Sequence, residues 1–190
     1  MPVLISLLLG AALVLLMVLL TRRYLAFPAQ QPADYRDGPR FDIRERFNGS
    51  LICEGVIYGP TGRVTTRFVA DVEASWQGNV GTMTEVFRYN SGTVQERVWT
   101  LTLGNDGKIK AEAPDVVGAG TGQQDGSAVG LHYRIQLTDA AGGHVLDVTD
   151  WMYLLSNGSI MNRSQFRKFG IKVAELVATM RPREALYTGE

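Results

Sequence analysis

A strict alternation of apolar and polar residues is the feature that most constrains the fold of this chain. In residues 63–76, RVTTRFVADVEASW, every second side chain from Val64 to Trp76 belongs to one set, and only Val69 breaks the polar set between them. Successive side chains of a β-strand point to opposite faces of the sheet, so this stretch predicts a strand with one buried face. A helix would need a period of 3.6 residues, which this stretch lacks.

Further alternating runs follow at short intervals, separated by residues that favour turns. This spacing predicts an all-β, mainly antiparallel fold of eight or nine strands. We predict an up-and-down β-barrel, because closing the sheet removes its exposed edges. One short helix is predicted at 162–169, ended by Gly170 in the left-handed conformation. The longest predicted strands are 64–76, 83–89, 94–103, 130–137, 144–155 and 171–180.

One hairpin can be predicted residue by residue. The three-residue loop 90–92, Asn-Ser-Gly, joins two alternating runs and has glycine where left-handed backbone is needed. The resulting register places Glu85 opposite Arg97, on a face that also carries aromatic side chains. The two residues form either a structural ion pair inside the barrel mouth or a polar anchor for a ligand head group, and the sequence leaves both open.

The first 20 residues, MPVLISLLLGAALVLLMVLL, contain no charged side chain. About 20 apolar residues in a helix span the hydrocarbon core of a bilayer, so we predict an uncleaved transmembrane signal anchor. A cleaved signal peptide is the alternative, although the basic residues and the small-residue cleavage site that it needs are not evident. The predicted organisation is a transmembrane helix at 1–21, a proline-containing linker at 22–40, a barrel domain at 41–182 and a tail at 183–190.

Charge and composition exclude several classes of function. The 19 basic and 19 acidic residues balance, so the chain lacks the basic excess that nucleic-acid binding requires. Cys53, the only cysteine, lies in an apolar run, and we expect it to be buried. With one cysteine and two histidines, a metal site of the usual ligands is hard to assemble, and we expect no metal and no cofactor.

The glycine-rich stretch 115–126, DVVGAGTGQQDG, has some likeness to a phosphate-binding loop. A dinucleotide fingerprint is G-x-G-x-x-G at the start of a helix, whereas the third glycine here is at 122 instead of 123. An alternating run follows, not an amphipathic helix. We therefore expect no nucleotide binding, and we predict that the glycines bend a barrel strand or let it pack closely against a neighbour.

The order of motifs in this chain resembles the bacterial family called domain of unknown function 3833. The resemblance covers about residues 40–182, and it implies a lipocalin-like barrel, a lipoprotein-type location at the cell envelope and a ligand related to fatty acids. A plain apolar helix stands here in place of the family's lipoprotein signal and its cysteine. The motifs are 47–49 (FNG), 54–55 (EG), 62–64 (GRV), 67–68 (RF), 76–78 (WQG), 85–89 (EVFRY), 97–99 (RVW), 115–118 (DVVG) with Gly120, 150–154 (DWMYL), 162–163 (NR) and 168–170 (KFG).

The two arguments about the side of the membrane disagree. The export that the resemblance implies would place the domain in the periplasm. Arg22 and Arg23 directly follow the apolar run, and the positive-inside rule would place them in the cytoplasm. We expect a single-pass inner-membrane protein with a periplasmic domain, and the cytoplasmic side stays open.

Polar and aromatic residues in apolar surroundings are the candidates for a ligand-binding site. One interpretation is a structural network in which Asn162 caps the short helix and Arg163 pairs with Asp150. The other is recognition of an acidic or polar head group by Arg97, Arg163 or Lys168. The full candidate set is Glu85, Arg97, Trp99, Asp115, Asp150, Trp151, Asn162, Arg163 and Lys168.

Three functions fit these observations. The first is a non-enzymatic, membrane-tethered barrel that binds a lipid or fatty-acid-like ligand, with a cavity lined by Phe68, Trp76, Phe87 and Trp99. The second is an enzyme or accessory subunit in membrane-lipid modification, with Glu85, Asp115 or Asp150 as acid or base. The third is a structural envelope protein with a solidly packed barrel. No catalytic motif identifies an enzyme, and we expect the first.

Overall fold

The computed structural model describes residues 2–183, apart from the side chains of residues 22 and 140. Within this part of the chain, ten strands each pair antiparallel with the next, and the last pairs with the first to close a barrel. The strands are β1 Gly49–Tyr58, β2 Val64–Gln77, β3 Val80–Tyr89, β4 Val94–Leu103, β5 Lys108–Glu112, β6 Gly120–Asp125, β7 Ala128–Gln136, β8 Val145–Leu154, β9 Ile160–Lys168 and β10 Ile171–Pro182.

Few residues of this fold are helical. An apolar helix, α1, covers Pro2–Tyr24, and a single-turn helix, α2, covers Ile43–Arg46. Short 3-10 turns lie at Phe27–Ala29, Pro32–Tyr35 and Asp139–Ala141. The predicted tail at 183–190 lies outside the described residues from residue 184 onward.

The predicted all-β antiparallel barrel is confirmed, with ten strands in place of eight or nine. The strand predicted at 94–103 has the bounds of β4. The 85–97 hairpin also has the predicted register: Glu85 is opposite Arg97, and the Tyr89 amide donates to the Thr93 carbonyl at 2.9 Å. The strand count was low because β5 and β6 are short. The sequence of β6, GTGQQD, has only one β-branched residue, Thr121, and no aromatic residue, whereas strands are usually rich in both types.

The helix predicted at 162–169 is wrong, because residues 162–168 belong to strand β9 and Phe169 belongs to the turn that follows it. The inward residues of β9 include Asn162 and Ser164, so polar side chains interrupt the apolar half of the alternation and conceal it. Gly170 has the predicted left-handed backbone, with φ of 77°, but it forms a hairpin turn together with Phe169 rather than a helix cap.

The glycine-rich stretch packs closely, as predicted. Strand β6 begins at Gly120, and a Cβ atom on Gly122 would collide with the Leu131 side chain and the Gly130 carbonyl oxygen. A Cβ atom on Gly126 would collide with the backbone of Tyr35. Gly122 therefore allows β7 to approach β6 closely, and Gly126 allows the segment at Tyr35 to approach the β6–β7 turn closely.

The segment predicted as a linker, 22–40, lies partly against the outer wall of the barrel. The Tyr35 carbonyl accepts hydrogen bonds from the Ser127 amide at 2.9 Å and the Ser127 hydroxyl at 3.1 Å. Arg36 forms an ion pair with Asp125 at 2.7 Å. The second half of this segment is therefore fixed to the β6–β7 hairpin.

The two ends of the barrel differ. At one end, the closed end, α2 and its neighbours bury Ile43 and Phe47, and the Phe47 carbonyl accepts a hydrogen bond from Trp76 Nε1 at 2.8 Å. The opposite end, the mouth, carries the β3–β4 and β9–β10 turns. Phe87, Phe166 and Leu176 lie toward this end and are only half-buried, so the interior opens there.

Candidate functional site

The barrel encloses a cavity of about 100 Å³. Its walls are mainly apolar, with Leu131 and Met152 among the side chains. Of the four aromatic residues predicted to line it, Phe68, Phe87 and Trp99 do so. Trp76 instead packs at the closed end, where its indole is hydrogen-bonded to Phe47. The barrel is neither solidly packed nor wide open.

Arg97 is the polar residue with the most unusual environment. Its Nε donates to Asp115 Oδ1 at 3.0 Å, and its Cζ lies 4.1 Å from the centroid of the Trp99 ring. Its side chain is 13% exposed, and its Nη2 is buried with no hydrogen-bond partner among the described residues. A buried donor without a partner is costly, so an oxygen atom of a ligand would be stabilised here.

Glu85 lies across the β3–β4 pair from Arg97, but the structural ion pair, one of the two interpretations left open by the sequence, does not form between them. The described residues contain no Glu85–Arg97 bridge within 4.0 Å, because Arg97 bonds to Asp115. Glu85 instead accepts a hydrogen bond from Trp99 Nε1 at 3.2 Å. Burial raises the pKa of Glu85 to about 7, and the nearby positive charge of Arg97 only partly opposes this increase. Glu85 therefore exchanges a proton close to neutral pH.

Asp150 is the centre of a second polar group in the interior. It accepts hydrogen bonds from Asn162 Nδ2 at 2.5 Å, from Ser164 Oγ at 2.7 Å and from the Tyr133 hydroxyl at 3.4 Å. Burial raises the pKa of Asp150, although the hydrogen bonds from Ser164 and Asn162 act in the opposite direction. These contacts hold the carboxylate in place at the cavity wall.

Ser164 and Tyr133 were not among the candidate residues. Both could have been found from the period of two, because Ser164 follows Asn162 by two positions and Tyr133 lies in an alternating run. Cys53 lines the same cavity and is buried, as predicted. Burial raises the pKa of its thiol, with a smaller contribution from Glu85, so the thiol stays protonated and unreactive.

Three of the nine candidate residues lie outside the interior. Trp151 is 1% exposed and is covered by Tyr35, whose ring centroid lies 5.8 Å from that of Trp151. The predicted Arg163–Asp150 pair is wrong: Arg163 is on the outer face of β9 and pairs with Glu175 at 2.5 Å. Lys168 lies at the mouth end of β9, with its Nζ 5.6 Å from the centroid of the Phe169 ring.

The remaining six candidates belong to one interior cluster, which spans strands β3, β4, β8 and β9 and the segment after β5. The cluster joins a salt bridge, a buried carboxyl group that titrates near neutral pH and a fixed carboxylate to an apolar cavity. Such an arrangement can orient the polar group of an otherwise apolar molecule. Its members are Glu85, Arg97, Trp99, Asp115, Asp150 and Asn162.

Comparison with known proteins identifies the family of this chain. The profile of the family described as "Protein of unknown function (DUF3833)" matches residues 23–182. The chain belongs to this family. No curated protein matches the chain.

Solved structures similar to this DUF3833 protein share its fold. The S-type phycobiliprotein lyase CPES from Guillardia theta is 12% identical with a TM-score of 0.55, over 74% of this chain and 90% of that one. Rv2717c from M. tuberculosis is 16% identical with a TM-score of 0.53, over 73% of this chain and 93% of that one. At these identities the likeness shows the fold alone, which is a lipocalin-like barrel.

Proposed function

We propose that this DUF3833 protein is a membrane-tethered barrel that binds a lipid or fatty-acid-like ligand in its interior. The observation that carries the proposal is the unpartnered Nη2 of Arg97, on a side chain that lines a mainly apolar cavity. A carbonyl or carboxylate oxygen of the ligand would accept a hydrogen bond from this atom, and its hydrocarbon part would lie against Phe68 and Met152.

The size of the cavity limits how the ligand is held. Pockets that enclose a whole small-molecule ligand have volumes of about 300 Å³ or more. The cavity of about 100 Å³ is therefore large enough for only part of a long acyl chain. We infer that one end of the ligand enters the barrel while the rest leaves through the mouth, past Phe87 and Phe166.

The charges in the interior favour an ionised carboxylate on the ligand only when Glu85 is protonated. Asp115 already neutralises Arg97, and Asp150 contributes a further acidic group. An ionised Glu85 would repel a ligand carboxylate, whereas a protonated Glu85 could donate a hydrogen bond to it. Because the pKa of Glu85 is about 7, a fatty acid would bind better on the acidic side of neutrality.

The tether is α1, which is long and apolar enough over Pro2–Thr21 to cross a membrane. The barrel buries none of this segment, so its leucines and valines need an apolar environment elsewhere. We infer a single-pass protein of the bacterial inner membrane with the barrel in the periplasm. Alkaline phosphatase fused after Glu190 should be active, and an inactive but stable fusion would place the barrel in the cytoplasm.

Binding can be tested on the full chain in detergent with dansylaminoundecanoic acid, a fluorescent fatty acid. We expect saturable binding that long-chain fatty acids compete away. R97M should weaken binding at least about tenfold, as expected for loss of a buried hydrogen bond to a charged group. R163M, on the outer wall, is the matched control and should bind like the unmodified chain.

R97K is a second variant that is less prone to unfold than R97M. It keeps the charge that pairs with Asp115 and removes only the forked guanidinium. Circular dichroism checks that each variant is folded. Saturable binding that folded R97M retains in full would exclude the cavity as the site. Complete absence of binding by the unmodified chain would remove the proposal of a fatty-acid carrier.

A second candidate function is catalysis on a membrane lipid. It is favoured by one observation: a buried carboxyl group with a pKa of about 7 lies at an interior cavity, as general acids and bases often do. Incubation of the full chain with radiolabelled membrane lipids would show turnover that E85Q lacks. A carrier would show no turnover in either form.

A further inference from the structure

The turn between β9 and β10 exposes large apolar side chains that the fold does not need. Its sequence, residues 168–172, is Lys-Phe-Gly-Ile-Lys. Phe169 is 91% exposed and Ile171 is 67% exposed. Phe169 also has a positive φ of 51°, a conformation that bulky residues rarely adopt. A polar residue or a second glycine would form this turn at lower cost, so stability does not explain the phenylalanine.

The turn lies on the same side of the molecule as the membrane helix. Lys172 of β10 lines a surface groove together with Leu25 and Phe27. Arg163 also lines this groove, and its Cζ lies 4.6 Å from the centroid of the Phe27 ring. Leu25 follows directly after the end of α1 at Tyr24 and is 82% exposed. A membrane crossed by α1 would therefore begin close to this groove.

The chemistry of the turn matches a lipid surface with negative charge. Exposed aromatic and aliphatic side chains enter the boundary between head groups and acyl chains, and flanking lysines attract anionic head groups. Phe169 and Ile171 supply the apolar part, and Lys168 and Lys172 supply the positive charge on either side. The groove beside the turn adds Arg163, which shares Glu175 with Lys172.

We propose that the β9–β10 turn inserts into the anionic lipid surface from which α1 emerges, and thereby points the mouth of the barrel at the membrane. This inference rests on the proposed anchoring by α1 and gives the cavity a direct route to its ligand. Phe166 lines the cavity and lies three residues before Phe169 on the same strand and turn. A lipid would thus pass from the bilayer to the interior without crossing water.

The test uses the full chain in lipid nanodiscs with the substitution F169C, labelled with the fluorophore nitrobenzoxadiazole. The native Cys53 is buried and unreactive, so the label attaches at the introduced thiol. N157C, in the exposed turn at the closed end, is the matched control. The bilayers are dioleoylphosphatidylcholine alone and the same lipid mixed with dioleoylphosphatidylglycerol.

We expect F169C to emit at shorter wavelength and to be quenched by aqueous iodide several-fold more slowly than N157C. Protection should be stronger in the bilayer that contains phosphatidylglycerol. I171C, labelled in the same way, should agree with F169C and shows whether one substitution disturbed the turn. Equal protection in both bilayers would remove the anionic lipid from the proposal.

Two results would overturn the insertion, and each differs from a failure of the anchor. If F169C and I171C are quenched as fast as N157C while the chain stays in the nanodisc, α1 anchors the protein and the turn stays in water. If protection occurs in native membranes but not in nanodiscs, a protein partner covers the turn. If the chain does not enter nanodiscs or float with liposomes, the anchoring itself is wrong.

Discussion

The two faces of the β8–β9 strand pair have opposite chemistry, although their residues alternate along the same short segments. The inner face presents Asp150 beside the cavity, with Asn162 and Ser164 both donating hydrogen bonds to its carboxylate. The outer face presents Trp151 and Arg163, which pack against the segment that follows α1. A step of one residue thus separates the proposed ligand site from the contacts with the segment that follows α1.

This difference shows that polarity does not distinguish inside from outside in this barrel. On β9 the polar residues Asn162 and Ser164 point inward, whereas Trp151, one of the fully buried side chains of the described residues, points outward under Tyr35. A ligand-binding barrel can contain polar residues when each has a partner, and Asp150 has three. The outer face can bury an aromatic residue when another part of the chain covers it.

The largest effect is expected on the outer face. W151A should lower the free energy of unfolding by about 3–5 kcal/mol, because it leaves a cavity between β8 and the segment at Tyr35. Chemical denaturation of the full chain in detergent measures this loss. W151F is the control: it keeps an aromatic ring and removes the unpartnered indole N–H, so its loss should be smaller. A loss below about 1 kcal/mol for W151A would mean that the segment at Tyr35 does not cover this face.

An effect of intermediate size is expected at Glu85 on the inner face, and it depends on pH. The pKa of Glu85 is about 7 in the folded chain, whereas the pKa of an exposed glutamate is 4.5. The bound proton of Glu85 therefore stabilises the folded chain fully below pH 4.5, and this stabilisation is lost as the pH rises to about 7. The loss amounts to about 3 kcal/mol at roughly 1.4 kcal/mol per pKa unit.

E85Q has no proton to lose at this position, so its stability should lack this decrease. Thermal unfolding of both forms across this pH range measures the difference, which should favour E85Q only at the alkaline end. Parallel stability curves for the two forms would show that Glu85 titrates normally and has water access. A pH-dependent difference would set the inner face apart from the outer face, which contains no buried carboxyl group with a raised pKa among the described residues.

The smallest effect is expected at Arg163. Its side chain is 45% exposed, so solvent screens its ion pair with Glu175. R163A should therefore cost less than about 1 kcal/mol, including the contact with the Phe27 ring. The same denaturation experiment measures it, with R134A, on another exposed pair, as control. A loss above about 3 kcal/mol, the size of the pH-dependent loss expected at Glu85, would mean that charges on the outer face contribute more to stability than the buried carboxyl group does.

Much of the fold could be predicted because the alternation of side chains is local information. The register of the 85–97 hairpin followed from the loop at 90–92, and the close packing of Gly122 followed from its place in a strand. The helix at 162–169 was a wrong prediction because Asn162 and Ser164 occupy inward positions where apolar residues are expected. Polar residues at these positions are stable only because Asp150 lies opposite, on another strand.

The site was predicted less completely than the fold. Six of the candidate residues do lie together, because inward positions on neighbouring strands converge. The ion-pair partners differ from those considered in the sequence: Arg97 bonds to Asp115, and Arg163 bonds to Glu175. These partners depend on which strands are adjacent and on the path of the chain at the mouth. Segments distant in sequence decide this, and no local pattern reports it.

Local features of the sequence were enough to predict an antiparallel barrel with an apolar N-terminal helix, because strand period, turn residues and an uncharged run are properties of neighbouring residues. The pairing of the polar side chains, the size of the cavity and the position of the segment after the helix emerged only from the folded chain. Burial and pairing are set by contacts across the barrel, between residues far apart in sequence. The unpartnered nitrogen of Arg97 is the clearest case, since it is defined by what surrounds it.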